Sequence, residues 1–178
     1  MKTIINLFHP DFSNSRANKA LVQNVNDEFE VRDLYALYPD FKIDVEKEKE
    51  VLEKADRIVL EFPIRWYSSP ALLKQWEDDV LEFGWAYGPN GDKLHGKELL
   101  IAATFGANNY GRDGFAKYEP HELLRPFQAT SRLIGTTFVK PFTVTGATSI
   151  ADADLAQAAK DYRAYLEQDS IPALGDFE

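Results

Sequence analysis

Apolar residues occur along the chain in short runs, separated by longer segments in which apolar positions recur every three or four residues. The short runs predict strands at residues 3–8, 29–34, 57–62, 98–105 and 137–144. Three runs, at 4–8, 58–62 and 99–103, are almost continuously apolar, as is typical of strands covered by helices on both faces. The helical spacing in between predicts helices at 15–27, 44–54, 69–83, 119–134 and 152–167.

Strands and helices that alternate in this way predict an α/β fold, because right-handed crossovers place helices on both faces of a parallel sheet. We expect a five-stranded parallel sheet in the order 2-1-3-4-5, the flavodoxin-like three-layer sandwich. Residues 1–178 are expected to form a single domain, with 171–178 as a loosely held terminus. In this order a ligand binds beyond the carboxyl ends of the strands, near strands 1 and 3.

Composition narrows the functions that this fold can serve. The chain has no cysteine, which excludes disulfides and a thiol nucleophile, so redox chemistry requires a bound cofactor. The net charge of −9 argues against nucleic acid as a partner. The three histidines are scattered, and we expect no metal site. No apolar run approaches the ~20 residues that cross a bilayer, and polar Asn6 comes too early for a secretory signal, so a cytoplasmic location is expected.

The loop after the first strand predicts an anion site. It carries His9 and Ser15, and a helix follows directly. Ser15 is expected to cap this helix, whose first backbone N–H groups have no intrahelical partner and lie at the positive end of the helix dipole. A phosphate group is therefore the first ligand hypothesis, and an ordinary capped helix is the alternative.

The loop after the third strand places Trp66 and Tyr67 between Pro63 and Pro70. Two adjacent aromatic side chains on a segment held at both ends offer a stacking surface for a flat heteroaromatic ring. The alternative is that both rings only cover the end of the sheet.

The loop after the fourth strand combines glycine with polar and aromatic residues. Gly106 permits close approach of the backbone to a ligand, while Thr104 and Asn108 offer polar contacts. Tyr110 and Arg112 are candidates for contact with a second substrate. A flexible surface loop is the alternative.

Together these loops resemble the flavodoxin-like NAD(P)H:quinone oxidoreductases. The similarity is closest to the small bacterial branch that includes general-stress NAD(P)H oxidoreductases and the ancillary oxidoreductases of glutathione-gated potassium efflux systems, and it extends to about residue 145. The residues that carry it are His9-Pro10 with Ser15-Xaa-Ala17-Asn18, residues 33–35 and 37–41, residues 62–70, 72–76, 84–88 and 94–97, and the Thr104 loop.

The resemblance implies a bound flavin, which for a chain of this length is FMN, with FAD as the alternative. It also implies NADH or NADPH as hydride donor, a quinone or related electrophile as acceptor, ping-pong kinetics and a homodimer. The implied flavin-binding residues are His9, Ser15, Arg16, Ala17 and Asn18 at the phosphate, and Pro63, Ile64, Arg65, Trp66, Tyr67, Thr104, Phe105, Gly106 and Ala107 around the ring system. Trp66 is expected to lie against the ring.

One segment departs from the family pattern. Relatives often have Thr-Thr-Gly-Gly in the fourth loop, whereas this chain has Thr104-Phe105-Gly106-Ala107. The added ring and methyl group are expected to narrow the pocket. Tyr110 and Arg112 are the candidate catalytic residues, which would stabilise the anion that develops on a quinone.

Two other functions remain open. One is an ancillary, flavin-containing subunit of a potassium efflux transporter, which would contact the transporter through the charged helix 44–54 or the aromatic turn 83–87. The other is an electron carrier like flavodoxin, which the polar residues of the fourth loop disfavour because they suggest a substrate pocket.

Overall fold

The computed structural model describes residues 1–176, and within them one sheet contains six strands, all paired in parallel. The strands are β1 (Thr3–Leu7), β2 (Glu30–Asp33), β3 (Arg57–Pro63), β4 (Glu98–Thr104), β5 (Thr137–Phe138) and β6 (Phe142–Val144). The order β2-β1-β3-β4-β5 confirms the predicted topology, and β6 also pairs with β4.

Helices cover both faces of the sheet. They are α1 (Ala17–Gln23), α2 (Leu34–Leu37), α3 (Val45–Lys54), α4 (Ala71–Val80), α5 (Arg125–Leu133) and α6 (Asp152–Leu166). On one face, Ile4, Ile58 and Leu60 belong to the core shared with α2–α5. On the other face, Ile5 and Val59 pack with α1 and α6. Because the strand side chains alternate, the two apolar layers enclose the sheet as a three-layer sandwich.

The last predicted strand is divided in two. Pro141 lies between β5 and β6 and has no backbone N–H to donate to the ladder. At this gap the Lys140 N–H donates instead to the Pro172 carbonyl (2.8 Å), and Val139 bridges to Ala173.

The prediction of a loosely held terminus is wrong for residues 171–176. Ile171 is buried, and the Leu174 N–H donates to the Phe138 carbonyl (2.9 Å). The final two positions of that prediction lie outside the described residues.

Three helices differ from their predicted bounds by more than one residue. α4 spans Ala71–Val80, whereas 69–83 was predicted. α1 ends at Gln23, and the segment predicted as 119–134 begins with a 3-10 turn over Pro120–Leu124 before α5. Pro126, in the first turn of α5, cannot donate the hydrogen bond that a continuous helix would need. The sequence pattern also missed α2, which Asp33 caps by accepting a hydrogen bond from the Ala36 N–H (3.1 Å). None of the helices within residues 1–176 has the length and apolar character to traverse a membrane.

Candidate functional site

A cleft of about 420 Å³ opens beyond the carboxyl ends of β1, β3 and β4. This is the edge at which a sheet of this order binds ligands. The lining includes ten of the predicted flavin-binding residues, namely His9, Ser15, Arg16, Ala17, Asn18, Pro63, Ile64, Arg65, Thr104 and Gly106. It also includes four residues that the sequence reasoning missed, which are Asp11, Asn14, Ala147 and Thr148.

One end of the cleft is formed where α1 begins. Arg16, and not Ser15, occupies the N-cap position, and its side chain makes no capping bond. Ser15 instead ends a 3-10 turn (Phe12–Asn14), where its N–H donates to the Phe12 carbonyl (3.0 Å). The predicted Ser15 cap is therefore wrong, because the 3-10 turn shifts the helix start by two residues. The backbone N–H groups of the first turn of α1 remain without intrahelical partners.

Two basic side chains approach this end. The Arg16 guanidinium donates to the Ile150 carbonyl (2.6 Å) and to Asp152 (2.5 Å), so its charge is paired with the first residue of α6. His9 accepts a hydrogen bond at Nδ1 from the Asp11 N–H (3.1 Å). Burial, together with the nearby Arg65 charge, lowers the pKa of His9, which favours a neutral imidazole at neutral pH.

The floor of the cleft contains a chain of buried hydrogen bonds. The Thr104 hydroxyl donates to Asn18 Oδ1 (2.8 Å), and Asn18 Nδ2 donates to Glu61 Oε1 (3.2 Å). Glu61 Oε2 accepts a third bond from the Tyr162 hydroxyl (3.0 Å). Burial raises the pKa of Glu61 to about 7, although the hydrogen bonds from Asn18 and Tyr162 oppose the shift. The side chain of Asn18, a predicted phosphate ligand, is thus engaged inside the protein.

The aromatic loop after β3 is a strained two-residue turn. Arg65 and Ser68 exchange both backbone hydrogen bonds (2.9 and 3.0 Å), and the residues between them have positive φ, at 48° for Trp66 and 61° for Tyr67. Such angles disfavour aromatic residues by about 1–3 kcal/mol each, a strain that often occurs at ligand sites. Trp66 is 94% exposed, and neither ring lines the cleft.

The fourth loop is held against the segment that follows β6. The Ala147 N–H donates to the Phe105 carbonyl (2.9 Å), and the Thr148 N–H donates to the Gly106 carbonyl (3.1 Å). A Cβ at Gly106 would lie 3.1 Å from Thr148 Oγ1, so glycine permits this close approach. The carboxyl end of the last parallel strand lies at the same edge of the sheet as those of the other strands. From this rule the sequence could have predicted that Ala147 and Thr148 lie at the cleft.

The structure corrects the expectation for Phe105. Its ring is fully buried and packs edge-on against Tyr110, with the centroids 4.9 Å apart. Because side chains alternate along a strand and its extension, Thr104 faces α1 while Phe105 enters the opposite core layer. The ring therefore does not narrow the cleft. Ala107 also lies outside the cleft lining.

Neither candidate catalytic residue lines the cleft. Tyr110 is half-buried, and burial together with the nearby Tyr67 raises its pKa. Arg112 is exposed, and its carbonyl accepts a hydrogen bond from Lys117 Nζ (3.4 Å). Tyr110 thus lies near Tyr67, on the turn that follows β3.

Curated proteins of similar sequence match almost the whole chain. General stress protein 14 of Bacillus subtilis is 45% identical over 172 residues, which cover 94% of this chain and 98% of that protein. The NAD(P)H oxidoreductase YrkL of the same organism is 47% identical, with 94% and 98% covered. The glutathione-regulated potassium-efflux system ancillary protein KefF of Salmonella schwarzengrund is 44% identical, with 89% and 91% covered.

Solved structures of other proteins superpose on nearly the whole chain. General stress protein 14 of Treponema denticola, solved in complex with FMN, has a TM-score of 0.88 and 39% identity, covering 94% of this chain and 98% of that chain. An NADPH-quinone reductase from P. pentosaceus has a TM-score of 0.85 and 28% identity, with 96% and 100% covered. A chain described as a thermophilic tryptophan halogenase from Streptomycin violaceusniger has a TM-score of 0.91 and 45% identity, with 94% and 99% covered.

A family model described as flavodoxin-like fold matches residues 1–166, which agrees with the strand order and with the position of the cleft. The chain belongs to this flavodoxin-like family.

Proposed function

We propose that this protein is an FMN-dependent NAD(P)H:quinone oxidoreductase. The observation that carries the proposal is the cleft at the carboxyl ends of β1, β3 and β4, lined by the residues that the family resemblance implies for flavin. The FMN complex of the Treponema denticola relative and the oxidoreductase names of YrkL and the P. pentosaceus protein support it. The halogenase name stands apart from these names, and nothing in the cleft favours it.

The residues present fit a flavin mononucleotide. A volume of about 420 Å³ lies within the roughly 300–1,000 Å³ of small-molecule sites. The free N–H groups at the start of α1, with the Ser15 and Thr148 hydroxyls at the cleft, suit a phosphate. Next to Arg65, which lines the cleft, the exposed Trp66 offers an aromatic face outside the lining. FAD is the alternative, and its additional nucleotide would extend beyond this cleft.

Bound FMN would supply two-electron chemistry, in which a hydride from NADH or NADPH is passed on to a quinone and one further proton from solvent completes the hydroquinone. The backbone of residues 15–18 would hold the phosphate, and Ile64 and Arg65 would position the ring system. Tyr110 stabilises the negative charge that develops on the quinone oxygen, and Arg112 is the second candidate for this role. The hydride donor and the quinone would occupy the same site in turn, which would give ping-pong kinetics. The protein acts in the cytoplasm as a homodimer.

An absorption spectrum after incubation with FMN tests this function. We expect a yellow protein that loses its visible absorption on anaerobic addition of NADPH and regains it on addition of a quinone. Thr148→Trp fills the cleft and is expected to abolish FMN uptake. Ser149→Trp is the matched control, because Ser149 is exposed and does not line the cleft. A wild-type protein that takes up no FMN would contradict the proposal.

A second candidate function is that of an ancillary subunit of a potassium efflux transporter, which the 44% identity to KefF favours. Its docking surface would be α3, where Lys49 pairs with Glu46 and Glu82, or the aromatic turn, where Phe83 is 68% exposed. Co-sedimentation with membranes that contain the antiporter tests it. Binding that Phe83→Ser removes, with NADPH oxidation unchanged, would establish this function beside the enzymatic one.

A further inference from the structure

Glu61 is a buried carboxyl group without a cationic partner. It has no exposed surface, and within residues 1–176 no lysine, arginine or histidine lies within salt-bridge distance of it. Its two side-chain hydrogen bonds come from neutral donors, Asn18 on α1 and Tyr162 on α6. Its neighbours in register are Leu7 on β1 and Ala102 on β4.

The other charged groups of the packed elements are paired elsewhere or exposed, as Asp154, Lys160 and Asp161 on α6 are. On the α1 side, Arg16 is bound to Asp152, and Lys19 Nζ donates to the Ser13 carbonyl (2.6 Å). On α6, Arg163 binds Asp27 and Glu167. The titratable group that faces Glu61 is therefore the Tyr162 hydroxyl, whose pKa lies well above its usual value because it is buried beside a carboxylate. It stays a hydrogen-bond donor at neutral pH.

The hydrogen bonds around Glu61 all point toward its carboxylate, which acts only as an acceptor. Thr104 donates to Asn18, and Asn18 donates to Glu61, as an ionised carboxylate requires. A protonated Glu61 has a hydrogen to donate, and the acceptor it can reach by an amide rotation is Asn18 Oδ1. After that rotation Asn18 Nδ2 donates a hydrogen bond to Thr104 Oγ1. The Thr104 hydroxyl then no longer donates to Asn18, and its hydrogen is free to donate into the cleft that Thr104 lines.

We propose that Glu61 is a positioning residue whose protonation turns the Asn18 amide and makes Thr104 a hydrogen-bond donor to the ligand in the cleft. The inference rests on the proposed flavin function, since it concerns the same cleft. The raised pKa of Glu61, about 7, supports it because both forms are then populated near neutral pH. The protein would bind FMN more tightly below pH 7 than above it.

The apoprotein provides a test that does not depend on FMN. In wild type, the side-chain amide resonances of Asn18 should shift with a midpoint near pH 7 between pH 5.5 and 8.5. Glu61→Gln should abolish the shift, because glutamine keeps the shape of glutamate and does not titrate. Glu77→Gln is the matched control. Burial also raises the pKa of Glu77 to about 7, but Glu77 lies on α4 across the sheet, so its removal should leave the Asn18 titration unchanged. A flat wild-type titration would overturn the inference even if Glu61→Gln failed to fold.

FMN affinity gives the second readout. From pH 6 to pH 8, the wild-type Kd should rise about threefold to tenfold more than the Kd of Glu61→Gln, the factor expected for one hydrogen bond. The FMN phosphate itself titrates near pH 6, but it affects both proteins alike. Parallel pH profiles in proteins that bind FMN would refute the role of Glu61 alone. Absence of FMN binding at either pH would refute the proposed function and leave the Asn18 titration to decide the inference.

Discussion

Glu61→Gln also tests the burial of an unpaired carboxyl group through the free energy of unfolding. Glutamine occupies nearly the same volume and cannot ionise, and its oxygen can still accept the hydrogen bond from Tyr162. The substitution therefore removes the titration of residue 61 with little change in packing. Any pH-dependent difference between the two proteins then reports the ionisation of Glu61.

The magnitude follows from the two pKa values. Burial raises the pKa of Glu61 from 4.5 to about 7, so the folded protein binds the proton more tightly than the unfolded chain. This contribution to stability is fully present below pH 4.5 and is lost as the pH rises through 7. The shift corresponds to about 3 kcal/mol, of which about 2.5 kcal/mol disappears between pH 5 and pH 8.

The assay is urea unfolding of both proteins at pH 5, 6, 7 and 8. Glu77 also titrates near pH 7, but it is present in both proteins and cancels from the difference. The unfolding free energy of wild type minus that of Glu61→Gln should fall by about 2.5 kcal/mol across this range. A difference that stays constant within about 0.5 kcal/mol would show that Glu61 is ionised in the folded protein throughout, and the reasoning from burial would be wrong.

Three further predictions concern the turn, the core and the cleft. Trp66→Asn should raise the unfolding free energy by about 0.5–1 kcal/mol, because asparagine tolerates the positive φ and the exposed indole has little packing to lose. A lower melting temperature than that of wild type would contradict this gain in stability. The same substitution should weaken FMN binding. Arg57→Met should cost about 3–5 kcal/mol in urea unfolding, because the buried guanidinium holds Glu98 (2.6 Å) and the Leu166 carbonyl (2.7 Å), and a cost below 1 kcal/mol would mean that Glu98 finds solvent. Arg16→Gln should weaken FMN binding about tenfold in fluorescence titrations if the Arg16 guanidinium leaves Asp152 for the phosphate, whereas unchanged affinity would leave Arg16 as a structural contact with the start of α6.

The three loops of the cleft were predictable because parallel strands end at one edge of the sheet. Once the apolar runs fix the order of strands and helices, His9, Ile64 and Thr104 must lie near one another. The glycine and polar residues that follow these strands indicated a ligand site, which can be read from the composition of the loops alone. The same rule applies to Thr148, because the last strand ends at Val144, as predicted, and Thr148 follows it at the same edge of the sheet.

The sequence by itself thus determined the topology and the place of the cleft, because periodicity and strand direction are local properties of the chain. Only the tertiary structure decided what each polar side chain of the site contacts. Asn18 finds its partners 43 and 86 residues away, in Glu61 and Thr104, and Glu61 finds Tyr162 101 residues away. Those encounters depend on the packing of α1 and α6 over the sheet, and burial by that packing is what shifts the pKa of Glu61.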